Sequence, residues 1–424
     1  MKAIVVSIGD ELVLGQTVDT NSSWLSRELA SVGIAVAQHI TVPDDLAAIQ
    51  AAISNSAMRC GIVLVNGGLG PTKDDLTREA LAHALNVPLD LNANCLRTLE
   101  EFFSQRGREM PQSNRVQAMI PRGARVLENT AGTAPGIDAD FTADPSHPCR
   151  IFAMPGVPDE MKIMFRKSVL PNLLHSGAEA AAIILSRTLH TFGVGESTIG
   201  EKLGDLMDRG RNPSVGTTVS SGVVSIRINA RFPNRDQALS ELEQTAEKCH
   251  AALGDLIYGA NDQTLPSVVA QLLTADKIQT VATAESCTGG LLAKMLTDIP
   301  GSSRYFQRGW ITYSNQAKTD LLDVSPQLLA HDGAVSESVV NAMAHSARQK
   351  AAANFALAIS GVAGPDGGTP AKPVGTVCIA LAHANGVLAR TFNFPGDREA
   401  IRARSAKMAL ALLRFHLLRK TPLF

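Results

Sequence analysis

Apolar residues in the first 172 positions alternate between two periods. Ala3 to Ile8 is a short β-branched run, and Trp24, Leu25, Leu29 and Val32 then recur at helical spacing. Ile34 to Val42 is a second strand-like run, followed by Leu46, Ile49 and Ile53 on a helix face. Gly61 to Val65 is apolar without a break, as a strand covered on both faces would be. Arg150 to Met154 gives a later strand, with Asp159-Glu160-Met161 opening a helix. This alternation predicts a parallel sheet with helices on both sides.

The pattern changes between 175 and 258. Strand-like Ile183–Phe192, helical Ser197–Met207, two β-rich runs (Ser214–Val219 and Val223–Phe232), helical Gln237–Leu253 and a short Asp255–Tyr258 strand follow in order. A β-α-β-β-α-β succession predicts a small ferredoxin-like α+β module, read as a connector. From 265 the alternation resumes. A helix face (Leu265, Val268, Val269, Leu272, Leu273) precedes strands at Gln279–Ala282, Phe306–Tyr313 and Ala356–Ala363. A hairpin of Val377–Ala382 and Val387–Phe394 comes next, then a helix from Asp397 to Leu418. The expected fold is α/β: two three-layer domains, at 1–174 and 261–424, joined by the module at 175–260.

Composition excludes several classes. Lys and Arg number 39 against 40 Asp and Glu, a formal charge of -1. There is no global drive towards nucleic acid or anionic membrane, and no direct nucleic-acid partner is expected. No apolar run reaches the length of a membrane span, and Met1 leads straight into the first strand, so neither a membrane anchor nor a signal peptide is expected. The 6 cysteines are scattered without a C-x-x-C pair, which reads as reduced thiols in a cytoplasmic protein.

Candidate chemistry collects where strands end. In the last third, Thr283 to Gly290, Tyr313 to Lys318 and Ser360 to Thr369 all follow predicted strands, and a parallel sheet would gather them at one edge. The gathered set holds Ser286, Cys287, Thr288, Tyr313, Asn315, Lys318, Ser360 and a glycine-rich turn. No His or carboxylate pair accompanies it, so a Ser–Lys arrangement is the economical reading: burial lowers the lysine pKa until its amine accepts the serine proton. Free amides of the helix turn after Ser286 are expected to hold the oxyanion, and the glycine-rich turn a phosphate. Cys287 is the rival nucleophile, but no His adjoins it to activate it. Thr376 and Arg402 are further phosphate candidates. The implied class is acyl transfer at an amide of a phosphorylated small molecule.

Five motifs carry a resemblance here: Ala284-Glu285-Ser286-Cys287-Thr288-Gly289-Gly290, Ile311 to Lys318, Gly333-Ala334-Val335-Ser336-Glu337, Ile359 to Gly368, and Pro373-Val374-Gly375-Thr376-Val377. Together they resemble the CinA C-terminal family, the nicotinamide mononucleotide (NMN) deamidases. The resemblance implies Ser286 as nucleophile, Lys318 as its base and Tyr313 in support, with no cofactor. Thr288, Gly289, Gly290, Asn315, Ser360, Gly361, Gly364, Thr376 and Arg402 are the expected substrate contacts.

The first third has its own strand-end set. Gly67, Gly68, Gly70 and Thr72 offer backbone donors to a pyrophosphate, and Asp74 and Asp75 suit a hard cation carried with phosphate oxygens. With Gly9-Asp10-Glu11, Asp19-Thr20-Asn21 and Met154-Pro155-Gly156-Val157-Pro158, these motifs resemble the molybdopterin-binding, MoaB/MogA-like domain of CinA proteins. That resemblance implies ADP-ribose pyrophosphatase activity requiring a divalent metal (magnesium or cobalt) and potassium. Glu11, Asp74 and Asp75 are the expected metal ligands, and Asn21, Pro155 and Gly156 join the nucleotide contacts. It also implies a homodimer. Two other readings stay open: a non-enzymatic partner in DNA uptake or damage response, and a pterin- or nucleotide-binding protein with an inert C-terminal half.

Overall fold

A computed structural model describes residues 2–142, 148–175 and 182–423. The junction expected at 174/175 adjoins 176–181, outside the described residues. The chain divides into two compact units, Met1–Leu185 with Ala230–Ser240, and Ser186–Asn229 with Glu241–Phe424.

The first unit is built on a 6-stranded sheet in the order Ala35–Val42, Lys2–Ile8, Ile62–Asn66, Cys149–Met154, Gly136–Phe141, Arg125–Leu127. Strand alternation sorts the core into two layers. Ile4, Val6, Val63, Val65, Ile151 and Ala153 pack on one side, and Ala3, Val5, Leu64 and Phe152 with Leu25 and Leu29 on the other. The first four strands are parallel, as the periodicity predicts, but the last two are added through antiparallel pairings. Hydrophobicity did not announce them because Gly136-Ile137-Asp138-Ala139-Asp140-Phe141 places an acid at every second position. Asp138, 1% exposed, is paired with Arg125 and Arg150 at 2.9 and 2.6 Å.

In the middle of the chain, strands Ser214–Ser220, Val223–Phe232, Ile183–Phe192 and Ile257–Ala260 lie side by side in that order, the ferredoxin-like arrangement expected. The last sheet has the order Phe306–Ile311, Val281–Glu285, Phe355–Gly361, Thr376–His383, Gly386–Asn393. Its first three strands are parallel and the final two form the antiparallel hairpin. One face packs Val281, Leu357, Ile359, Ile379 and Leu381 against helices Leu265–Thr274 and Arg398–Leu417. The other is almost wholly alanine: Ala282, Ala284, Ala356, Ala358, Ala380 and Ala382 meet helix Glu337–Ala351 through Val339, Val340 and Met343. Methyl-sized side chains there let the helix lie close to the strands.

Each α/β sheet reverses its winding once. In the first, the reversal lies between Lys2–Ile8 and Ile62–Asn66; in the last, between Val281–Glu285 and Phe355–Gly361. Strands that wind away from each other leave a crevice at their carboxyl ends, and ligands of open α/β sheets bind there. The candidate loops sit at both.

Candidate active site

Strand Val281–Glu285 delivers Ser286 to the edge of its sheet. The Ser286 amide continues the ladder by donating to Ile359 O at 2.9 Å, and the Thr312 amide donates to Glu285 O at 2.7 Å. Lys318 comes from helix Asn315–Leu322, whose start is capped by Ser314. Its Nζ lies 3.0 Å from Ser286 Oγ and 2.9 Å from Thr312 O. Ser286 is 8% exposed and Lys318 1%. Burial pushes the Lys318 amine below the usual lysine range, the nearby Cys287 sulfur opposing this only weakly, and no carboxylate pairs with it among the described residues. A buried amine in hydrogen-bond range of a hydroxyl, without an acid to hold it charged, is a base for that hydroxyl.

Cys287 is buried, and burial lifts its thiol to about 11. It stays protonated at neutral pH and is a poor nucleophile.

The helix turn after Ser286 differs from expectation. Its amides are not free: the Glu285 carboxylate, 1% exposed, accepts from Gly290 N (3.0 Å), Leu292 N (3.0 Å) and Ala293 N (2.8 Å). Glu285 thus caps the helix that follows it. The Cys287 amide donates to no other residue among the described residues, so it stands beside the nucleophile as a candidate oxyanion donor. The sequence places Glu285 only in the polar stretch between the predicted strand and the helix that follows.

A pocket of about 310 Å³ opens over the pair. Tyr313, Asn315, Ser360, Gly361 and Gly364 line it with Ser286 and Lys318. Tyr313, 59% exposed, stands at the mouth, its hydroxyl accepting from Arg398 rather than meeting Ser286. Ser360 Oγ donates to Ala334 O and ties two walls together. Five expected contacts do not line the pocket. Thr288 is fully buried. Gly289 and Gly290 serve the turn, at φ 57° and 92°. The Thr376 carbonyl accepts from Val362 N, and Arg402 donates to Thr288 O at 2.6 Å, bracing the nucleophile loop from behind. The arginine on the pocket wall is Arg398, one helical turn earlier.

In the first unit, a pocket of about 440 Å³ occupies the other crevice, lined by Glu11, Gly67, Gly68, Gly70, Pro155 and Gly156. At Gly67 (φ 109°) a Cβ would strike Ile8 O at 2.5 Å, so only glycine fits. Arg78, buried under the turn, donates to the carbonyls of Leu69 and Gly70; burial lowers its pKa to about 10. Asn21 lies behind the wall, donating to Gly156 O at 2.8 Å.

Asp74 and Asp75 also line this pocket, but Asp75 is engaged within the turn. Its carboxylate accepts from Gly70 N at 2.7 Å, Thr72 N at 2.8 Å and the Thr72 hydroxyl. Thr72 therefore spends its donors on Asp75, not on the pocket. Asp44, which sequence did not single out, joins the wall; burial and then the charges of Asp10, Glu11 and Asp74 hold its carboxyl above the usual range. Among the described residues no three His, Cys, Asp or Glu side chains form a closed metal-ligand group. Glu11 and Asp74 fit the sparser need of a cation carried by phosphate oxygens and water.

Comparison with known proteins extends over the whole chain. Family models match at 262–417 (CinA C-terminal domain), 4–175 ("Probable molybdopterin binding domain") and 186–259 (damage-inducible protein CinA KH domain). A protein of Symbiobacterium thermophilum, provisionally named a competence-damage inducible protein, is 42% identical over 99% of this chain and 99% of its own length. CinA-like proteins of Geobacter sulfurreducens and Gloeothece citriformis are each 42% identical, over 99% of this chain and 100% of their own.

Proposed function

The chain belongs to the CinA family, and from that premise we propose that its C-terminal domain hydrolyses the carboxamide of NMN to nicotinic acid mononucleotide and ammonia. The observation that carries this reading is the 3.0 Å contact between Lys318 Nζ and Ser286 Oγ in a buried setting. Lys318 takes the hydroxyl proton as Ser286 Oγ attacks the carboxamide carbon. The Cys287 amide receives the developing oxyanion. Collapse expels ammonia, its third hydrogen being the proton returned by the Lys318 amine, and leaves an acyl ester on Ser286. Water, deprotonated by the same amine, then releases the acid. No metal enters this sequence. Incubation with NMN tests it: wild type should release ammonia and Ser286→Ala should not.

For the N-terminal pocket we propose divalent-metal-dependent cleavage of ADP-ribose to AMP and ribose 5-phosphate. Glu11 and Asp74 would hold the cation, which supplies charge neutralisation at the pyrophosphate, while the Gly67–Gly70 turn orients it. Both substrates derive from NAD, so one chain would serve two steps of its salvage. No helix among the described residues is long and apolar enough to cross a membrane, and we place the protein in the cytoplasm as a homodimer.

A further inference from the structure

We infer that Arg78, which does not itself line the N-terminal pocket, is the positioning residue and fixed counter-charge that lets this pocket accept a pyrophosphate. The inference deepens the pyrophosphatase reading and rests on it. Charge balance, peptide geometry and the cost of burial carry it.

Five carboxylates line the pocket, those of Glu11, Asp44, Asp74, Asp75 and Glu160, and among the described residues no lysine or arginine does. Such a wall opposes an anion, and a single divalent cation offsets it only in part. Arg78 puts a cation beneath it. The side chain is 1% exposed and donates to the carbonyls of Leu69 and Gly70, both wall residues. At a pKa of about 10 it is charged at neutral pH. That charge is not consumed nearby. Its bonds go to neutral oxygens, Nε has no partner, and Asp75 gives its own oxygens to the amides of Gly70 and Thr72.

Every carbonyl from Gly67 to Gly70 is held by the start of helix Thr77–Leu85. Thr77 Oγ1 donates to Gly67 O at 2.8 Å, Thr77 N to Gly68 O at 3.1 Å, Arg78 Nη2 to Leu69 O and Arg78 Nη1 to Gly70 O at 3.1 Å. In a trans peptide the N–H points opposite to the C=O. The amides of Gly68 and Leu69 are therefore turned away from the helix, and neither donates to another residue among the described residues. An anion seated on these two amides has the guanidinium behind it, with the turn between them.

Holding carbonyls does not need a charge. Thr77 braces the first two with a hydroxyl and an amide. Burying a guanidinium to brace the next two costs far more than a neutral donor would. The positive charge is what Arg78 adds.

The test uses full-length wild type, Arg78→Lys, which keeps the charge, and Arg78→Met, which keeps most of the length without it. ADP-ribose turnover with magnesium is measured beside calorimetric titration with magnesium pyrophosphate, both well below each protein's melting temperature. Arg78→Met should raise KM for ADP-ribose and Kd for pyrophosphate about 10- to 100-fold, with kcat changed less. Arg78→Lys should recover most of that loss. Where Arg78→Met does not fold, Arg78→Gln takes its place with the same expectation. A lowered melting temperature with KM and Kd unchanged would make Arg78 a brace alone and overturn the inference, as would equal losses in the lysine and neutral variants. If wild type releases no AMP from ADP-ribose, the pyrophosphatase reading falls. The titration still decides: pyrophosphate binding that depends on the charge at position 78 upholds the inference, and binding that is absent or indifferent to it refutes it.

Discussion

Lys318 Nζ and Ser286 Oγ lie 3.0 Å apart although their residues are 32 positions apart in sequence and come from different elements. The lysine is buried and lacks an acid partner, so its working form is the free amine. Activity on NMN should rise with pH through the lowered Lys318 pKa. An activity limb that rises only at the ordinary lysine pKa of about 10.4 would speak against it. Lys318→Met should cost about 100- to 10,000-fold in kcat. The stability sign is separate: between the lowered folded pKa and the ordinary unfolded one, the unfolded chain binds more protons, so this group's contribution makes stability rise with pH.

Cys287 should be dispensable. Its thiol, lifted to about 11, is protonated at neutral pH, so Cys287→Ala should keep NMN turnover within a few-fold while Ser286→Ala loses it. Acylation trapped on Cys287, detected by mass spectrometry, would reverse the assignment.

Removing the Glu285 carboxylate should unsettle the nucleophile loop. Glu285→Ala leaves three amides without their acceptor, at a cost of about 3 kcal/mol or more in urea unfolding. Glu285→Gln keeps an acceptor oxygen and should lose less. Equal stability of all three proteins would contradict the cap.

Acid should weaken the first unit at Asp138. Burial alone would raise its pKa, but hydrogen bonds from Arg150 and Arg125 outweigh that and hold it below the ordinary value. The stabilisation is present above the unfolded pKa and is lost as pH falls through the folded one. Asp138→Ala should cost about 1.5–3 kcal/mol, since it removes a buried carboxylate that pairs with both Arg125 and Arg150, and should flatten the acid limb of the stability curve.

At the N-terminal pocket, ADP-ribose turnover should disappear with a chelator and in Asp74→Asn or Glu11→Gln, with the fold intact by circular dichroism. Asp75→Ala should also lower the melting temperature, because Asp75 staples the Gly70–Thr72 turn. Turnover that persists without metal would sink the pyrophosphatase reading.

Much of this was legible in the sequence where one period or one motif settles the matter. The unbroken run at Ile62–Val65 could only be a doubly covered strand, and the loops carrying Ser286, Lys318 and Ser360 had to meet at a sheet edge. Contacts decided by turn shape or helix rotation were not legible. Arg398 and Arg402 lie one turn apart on the same helix, and nothing in their order says which reaches the pocket. Gly289 and Gly290 looked like ligand contacts because flexible residues serve equally well as binders and as the hardware of a tight turn. Asp138 hid a strand for a related reason: its charge is neutralised by arginines distant in sequence.

The alanine face beneath helix Glu337–Ala351 leaves this domain no slack. Enlarging Ala284 or Ala358 even to valine would lift that helix away from the sheet. Ala334 and Val335, just ahead of its Ser336 cap, form part of the pocket wall and would be carried along. Diversification of specificity on such a floor is therefore channelled elsewhere, into exposed wall positions such as Asp366 and the helix start at Arg398, where side chains can change without disturbing the layer below.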